Sequence, residues 1–466
     1  MSTSPPSFTN LRLARPSFLA SLAWWERAAL LLGLAVVVGF SGVVELRSAF
    51  LKRPMTDLQV YLRAAWAVRT GADLYQVTDD NGWHYHYPPL LAILLAPLAD
   101  PPPNVARDGI PPFGVSVAIW YWFSVGCLAW GVHTLCRALE QTASDDSIRL
   151  RPPGCGRWRL LRFLPILACL PAIGQTLVRG QVNLLVFALL CGFIAAIVRG
   201  RRVHAGFWLA GAICLKIIPA LLLIYPLWKR DFRCLAGCVL GLAIGLGAIP
   251  AAVLGPQRTL GYFEEWTEVM LRPALGRGED QSRVKELINV NATDSQSPLV
   301  LLHNAIHPDR DTRPFEASTE VRWTHRLIAA SMTLITLLAA GWSRKSSPQR
   351  EALALGALTI VMVLASPVCH LHYFCLTLPL VIGMLAFVMT RGESPRRLYP
   401  FLGLLTVNMI CTILPIFPGM DVLRDHGLAT AGTLLLWATG LGMLISTRGA
   451  PLTTYETVAS DDALAA

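Results

Sequence analysis

"AGFWLAGAICLKIIPALLLIYPLW", residues 205–228, is apolar along its whole length except for one lysine, and it is flanked by basic clusters on both sides. Its length suits a single crossing, since a spanning helix needs about 20 mostly apolar residues. Its flanks argue otherwise. Arg199, Arg201 and Arg202 precede it, and Lys229, Arg230 and Arg233 follow. Short basic loops gather on the cytoplasmic side, so one crossing would leave one cluster on the wrong face. Lys216 sits in mid-run, where an ammonium in lipid is costly, and Pro219 cannot extend a helical hydrogen-bond ladder. A broken hairpin meets all three constraints: two short half-helices join at "LKIIPA", both ends lie inside, and the break faces a wet cavity. The plainer alternative is one long tilted helix with a snorkelling lysine and an arginine-rich outer loop.

Similar apolar runs occupy 28–44, 113–136, 161–178, 182–198, 234–254, 325–342, 352–366, 373–390, 401–418 and 428–446. Hydrophobic residues make up 54% of the 466 and charged residues only 15%, against about 25% charged in a soluble domain. The fold class is all-α, a polytopic helical membrane protein. Loops 343–350 and 391–397 are also basic, and 137–162 carries six arginines against three acids. These belong inside. The loop 255–320, with eleven acids and seven basic residues, belongs outside. The predicted organisation is a cytoplasmic segment 1–27, a transmembrane domain 28–447 with outer loops 45–87 and 255–320, and a polar cytoplasmic tail 448–466. The first run reads as an uncleaved anchor. The short run 88–99 and the Pro-rich 100–112 fit either a short span or a re-entrant piece, and alternation there stays open.

The net charge of +10 follows from the inner loops and gives no sign of a nucleic-acid partner. The eleven cysteines lie mostly in or beside apolar runs, as small hydrophobes rather than a disulfide framework.

The outer face holds the candidate chemistry. In 55–71, Thr56 and Gln59 have capping-box spacing, and Leu58, Tyr61, Leu62, Ala65 and Trp66 would line one face of a surface helix ending at Gly71. Asp57 lies in its first turn, where an acid also simply suits the helix dipole. "WHYHYPPL", 83–90, supplies His84, His86 and Tyr87; "RGQVN", 179–183, supplies Gln181 and Asn183; "SPVCHLHYF", 366–374, supplies His370 and His372. Four histidines in two H-x-H pairs could bind a metal, but neither pair has a cysteine or carboxylate at ligand spacing. A carboxylate as base, with lysine and histidines beside a departing phosphate, suits transfer from an amphipathic donor to a hydroxyl.

In order, "TDLQVYLRAAWAVRTGADLYQ", "YHYPPLLAILLAPLA", "GQVNLL", "GFWLAGAICLKIIPALLLIYPL", "DSQSPLVLLHN" and "SPVCHLHY" resemble the landmarks of the polyprenol-phosphate-sugar-dependent glycosyltransferase family 87, over roughly residues 50–390. The resemblance implies a GT-C fold with long outer loops and a cavity open to lipid. It also implies an inverting, metal-independent transfer without cofactor. The partners would be a polyprenyl-phosphate sugar donor, usually carrying mannose, and a lipid or glycan acceptor. It assigns the family's catalytic acid to Asp57, its lysine to Lys216, its Gln-Ser landmark to Gln296 and Ser297, and its late histidine to His372. His370 stands where many relatives carry Trp. The competing reading from the residues is a transporter or flippase of a lipid-linked sugar, which broken helices and an intramembrane lysine also suit.

Overall fold

The structure is a computed structural model that describes residues 23–51, 56–142, 156–272, 286, 288, 290, 295–344, 346–390 and 395–447. The expected tail 448–466, residues 1–22 of the expected N-terminal segment, the loop 391–394, half of 137–162 and much of 273–294 lie outside the described residues. Every apolar run of the sequence is helical. The order begins with α1 (Trp24–Glu45), α2 (Thr56–Thr70), α3 (Pro89–Leu94), α4 (Phe113–Thr142), α5 (Gly156–Ala168), α6 (Leu170–Arg179), α7 (Asn183–Val198), α8 (Arg202–Leu215), α9 (Ile224–Trp228) and α10 (Phe232–Leu242). Long helices follow at Thr319–Ala340, Pro348–Ala365, Leu378–Thr390, Pro395–Ile413 and Leu428–Ser446. Among the described residues eight helices are long and apolar enough to cross a membrane, and the bent pair α5–α6 makes a ninth. The chain is an all-α, multi-pass membrane protein.

The helices hydrophobic on every side form the centre. All residues of α7 except Leu185 and Leu189 are buried, as are nearly all of Pro348–Ala365 and Leu378–Val388. Such all-round apolarity marks helices shielded by other helices. The run 161–178 is two helices rather than one, bent by 63° between Ala168 and Leu170. Pro171, in the first turn of α6, lacks the N–H that a continuous ladder needs.

The segment 205–228 is indeed broken. α8 ends at Lys216, whose backbone is extended (φ −152°, ψ 125°), and a 3-10 turn Ile218–Leu223 leads into α9. Its ends return to one face. Arg202 Nη1 lies 3.4 Å from Asp231 Oδ2. The starts of α8 and α10 run side by side in backbone contact: a Cβ on Gly206 would strike the main chain of α10 at Cys234, and one on Gly237 would strike Val203. α10 therefore starts where α8 starts, so the intervening chain has gone out and come back.

The other basic loops share that face. Arg199 Nε donates to Gln141 Oε1 at 3.1 Å, Arg344 donates to the carbonyls of Lys229 (3.2 Å) and Arg230 (2.7 Å), and Arg350 donates to Thr447 Oγ1 at 2.8 Å. This is the cytoplasmic face by the positive-inside rule. Labelling with an impermeant thiol reagent checks it: Arg201→Cys and Arg233→Cys should both be shielded from outside in intact cells. Labelling of one alone would restore a continuous span.

One open alternative is resolved and one expectation needs correction. The run 88–99 does not span. It yields six residues of α3 and a 3-10 turn Ala96–Leu98, about 9 Å of helix at 1.5 Å per residue. The chain then returns to α2, where Asp100 N donates to Leu62 O at 2.9 Å and Arg63 Nε donates to Asp100 O at 3.0 Å. With 88–112 re-entrant from outside and the 16-residue α7 taken as a further, short crossing, α4 runs inward and the basic loops alternate as the positive-inside rule requires. Nor does α2 lie on the membrane by one face. Leu58, Tyr61, Leu62 and Ala65 are buried as expected, but so are Ala64 and Ala67. The helix Pro256–Trp266 clamps the segment that covers it, through Tyr262 Oη to Ala72 O (3.1 Å) and Trp266 Nε1 to His86 O (3.1 Å). The amide of Gln59 reaches Asp80 Oδ2 at 2.6 Å, across to the loop rather than back along its own helix.

Candidate active site

At the outer end of the bundle a cavity of about 350 Å³ brings together Asp57, Tyr87, Gln181, His370 and His372. These five come from segments far apart in sequence. α2 starts at Thr56, so Asp57 hangs from its first turn. α6 ends on Gly180 in the left-handed region (φ +67°), a conformation that glycine adopts without strain. That turn reverses the chain, and Trp120 Nε1 pins it by donating to Gly180 O at 2.8 Å. Arg179 and Gln181 on either side of it both line the cavity.

Asp57 Oδ2 is enclosed and has no hydrogen-bond partner among the described residues. Burial raises the Asp57 pKa above the ordinary aspartate value, against the pull of Arg179, Lys216 and His370 and a hydrogen bond with Gln181. Beside it, Tyr61 Oη donates to Gln181 Oε1 at 3.0 Å and lies 3.2 Å from Tyr87 Oη. Opposite, the imidazoles of His370 and His372 stack at 5.5 Å between centroids and 21° between planes. The carbonyl of His372 accepts from Thr176 Oγ1 (2.9 Å) and Asn183 Nδ2 (3.3 Å), which fixes this turn against α6 and α7. His372 Nε2 is buried without a partner among the described residues.

The remaining expected site residues are not among those that line the cavity. Lys216 stands behind the wall: its Nζ donates to Asn183 Oδ1 at 2.8 Å and sits 3.9 Å from the centroid of the Tyr373 ring. A desolvated cation–π contact of this kind contributes about 2 kcal/mol, part of what keeps a charged lysine buried there. Gln296 and Ser297 lie beside the cavity and make structural bonds, while Gln296 Oε1 is buried with no partner among the described residues. Gln296 N donates to Cys369 O at 2.5 Å, and Ser297 Oγ donates to Ser366 O at 2.9 Å. With the Ser295–His370 bridge, these bonds hold the outer loop against the histidine segment.

Arg179 is the residue that the sequence reading missed. The signal was available, because an arginine in an outer loop runs against the positive-inside bias. Tyr61, Tyr373 and Glu286 also line the cavity. Glu286 explains the first histidine pair: it accepts from His84 N at 2.6 Å, lies 3.0 Å from His84 Nδ1, and has its Oε1 3.3 Å from His86 Nε2. His84 and His86 thus tie the long outer loop to the rim. Among the described residues no three His, Cys, Asp or Glu side chains are grouped to hold a metal ion.

Comparison with known proteins follows the same line. The family model described as glycosyltransferase family 87 matches residues 85–367. No curated protein matches the chain. The crystal structure of ArnT from Cupriavidus metallidurans bound to undecaprenyl phosphate is similar at 15% identity and a TM-score of 0.37, over 89% of this chain and 78% of that one. The apo structure of the same protein gives 13% identity and a TM-score of 0.38, over 90% and 78%. Neither likeness is close enough to carry residues across.

Proposed function

Since the chain belongs to glycosyltransferase family 87, we propose that it moves a hexose, mannose first among the candidates, from polyprenyl phosphate to a lipid or glycan hydroxyl at the extracytoplasmic face. Family membership makes it a membrane glycosyltransferase; the donor, the sugar and the residue roles are this proposal. Asp57 takes the proton of the acceptor hydroxyl as its oxygen attacks the anomeric carbon. The bond from that carbon to the phosphate oxygen breaks on the opposite side, so configuration inverts. The phosphate leaves with added negative charge, stabilised by donors from Arg179 and His372. The supporting observation is the pairing, in one cavity, of an unpartnered enclosed carboxylate oxygen with an arginine and an unpartnered imidazole nitrogen. Lys216 adds positive field from behind Tyr373.

The test is transfer by purified protein from a panel of polyprenyl-phosphate hexoses to a membrane-lipid extract, with products identified by mass spectrometry. Transfer is expected from at least one donor without added metal. Movement of the donor across the bilayer, with no glycosylated product from any donor, would instead favour a flippase.

A further inference from the structure

We propose that the cytoplasmic mouth of the re-entrant hairpin binds the phosphate-bearing headgroup of an anionic phospholipid. At the end of the bundle away from Asp57 lies a second cavity of about 400 Å³, to which Arg202, Lys229, Arg233 and Arg344 contribute from three separate segments. Two acids, Asp231 and Glu351, also line it. The positive-inside rule accounts for basic residues in these loops. It does not account for their convergence on one hollow.

Four cations face two acids there, which leaves a net positive charge. Lys229 Nζ donates to the carbonyls of Ala340 (3.2 Å) and Ser343 (2.8 Å), and Arg344 donates to the carbonyls of Lys229 and Arg230. These acceptors are neutral, so they orient the cations without cancelling them. Glu351 is engaged by the hydroxyl of Tyr225. Arg202 meets Asp231 only loosely, at 3.4 Å. Arg233 is exposed and makes no hydrogen bond or ion pair among the described residues.

Around the cavity stand exposed apolar side chains. Phe232 is 69% exposed, Trp342 59% and Leu227 57%. A cationic hollow with an apolar apron suits a phosphodiester above acyl chains better than it suits a soluble anion. Basic side chains at such a surface attract anionic headgroups by about 1 kcal/mol each. Arg202 opens the hairpin and Lys229 closes it, so one phosphate between them would bridge its two ends.

The test uses purified full-length protein in nanodiscs of phosphatidylcholine doped with phosphatidylglycerol. Native mass spectrometry and the thermal unfolding midpoint provide the readouts. Wild type should retain phosphatidylglycerol and gain thermal stability from it, and the gain should shrink at high salt. Arg233→Gln should weaken the apparent affinity about fivefold, the factor that corresponds to ~1 kcal/mol, and adding Arg202→Gln should weaken it further. The Arg233→Gln single variant carries the test if loss of the Arg202–Asp231 contact lowers stability by itself. Equal retention by wild type and Arg233→Gln would overturn the proposal. So would full protection by inorganic phosphate in pure phosphatidylcholine, which would assign the pocket to a free anion.

Discussion

Asp57→Asn is expected to lower transfer turnover by about 10²–10⁴-fold, the usual contribution of a positioned general base. Asparagine keeps the size and hydrogen-bonding shape of the side chain but cannot take a proton. The same substitution separates catalysis from folding. Burial raises the Asp57 pKa, so the folded state disfavours the ionised form; removing that charge does not cost stability at neutral pH. An inactive variant that inserts and melts like wild type is therefore the expected result. The pH profile gives an independent readout. The base is the carboxylate, which is lost as pH falls through a pKa raised above the ordinary aspartate value of about 3.9. The wild-type rate should thus decline on the acid side earlier than an exposed aspartate would dictate, and residual Asp57→Asn activity should lack that limb. Near wild-type turnover by Asp57→Asn in purified protein would remove Asp57 from the mechanism.

His372→Ala is the second large effect, a loss of about 10²–10³-fold in kcat, as for removal of one preorganised donor to a developing negative charge. The ring is buried at 2% exposure, its Nε2 has no partner among the described residues, and two hydrogen bonds to its carbonyl fix the turn from which it projects. A donor held this way needs no reorganisation when charge appears on the phosphate. An imidazole donates whether neutral or protonated, so this role does not depend on a titration near neutrality. His370→Ala should cost less, because His370 is only partly buried where His372 is enclosed. Stoichiometric zinc in purified wild type, lost in both variants, would sink this reading in favour of a metal site.

The sequence exposed the helices because lipid leaves the chain little choice: each apolar run satisfies its backbone internally. The broken segment was legible for a related reason. Charge on both flanks, a lysine inside and a proline after it cannot all be accommodated by one span. What stayed hidden depends on packing between distant segments. Nothing local shows that Pro256–Trp266 clamps the segment covering α2, or that Gln296 N and Ser297 Oγ donate to the 366–370 loop while the Gln296 amide turns to Arg424 O. The direction in which Lys216 points was also beyond reach, since a buried cation can line a cavity or back it. Arg179 was overlooked because the weight fell on Gln181 and Asn183. Its placement beside a left-handed glycine matters only once the turn of α6 into α7 is seen.

The glycine contact between α8 and α10 bears on how the chain enters the membrane during synthesis. A hairpin with both ends inside and a lysine at its tip has no stable resting place in lipid on its own, and its fit depends on Gly206 lying flat against Cys234 and Gly237. That partner surface emerges about 30 residues after Gly206, roughly 1.5–6 seconds at translation rates of ~5–20 residues per second. Over that interval α8 and its lysine depend for shelter on the insertion machinery or on the already inserted α7. Biogenesis here is therefore not one helix at a time but the delayed release of a three-helix unit.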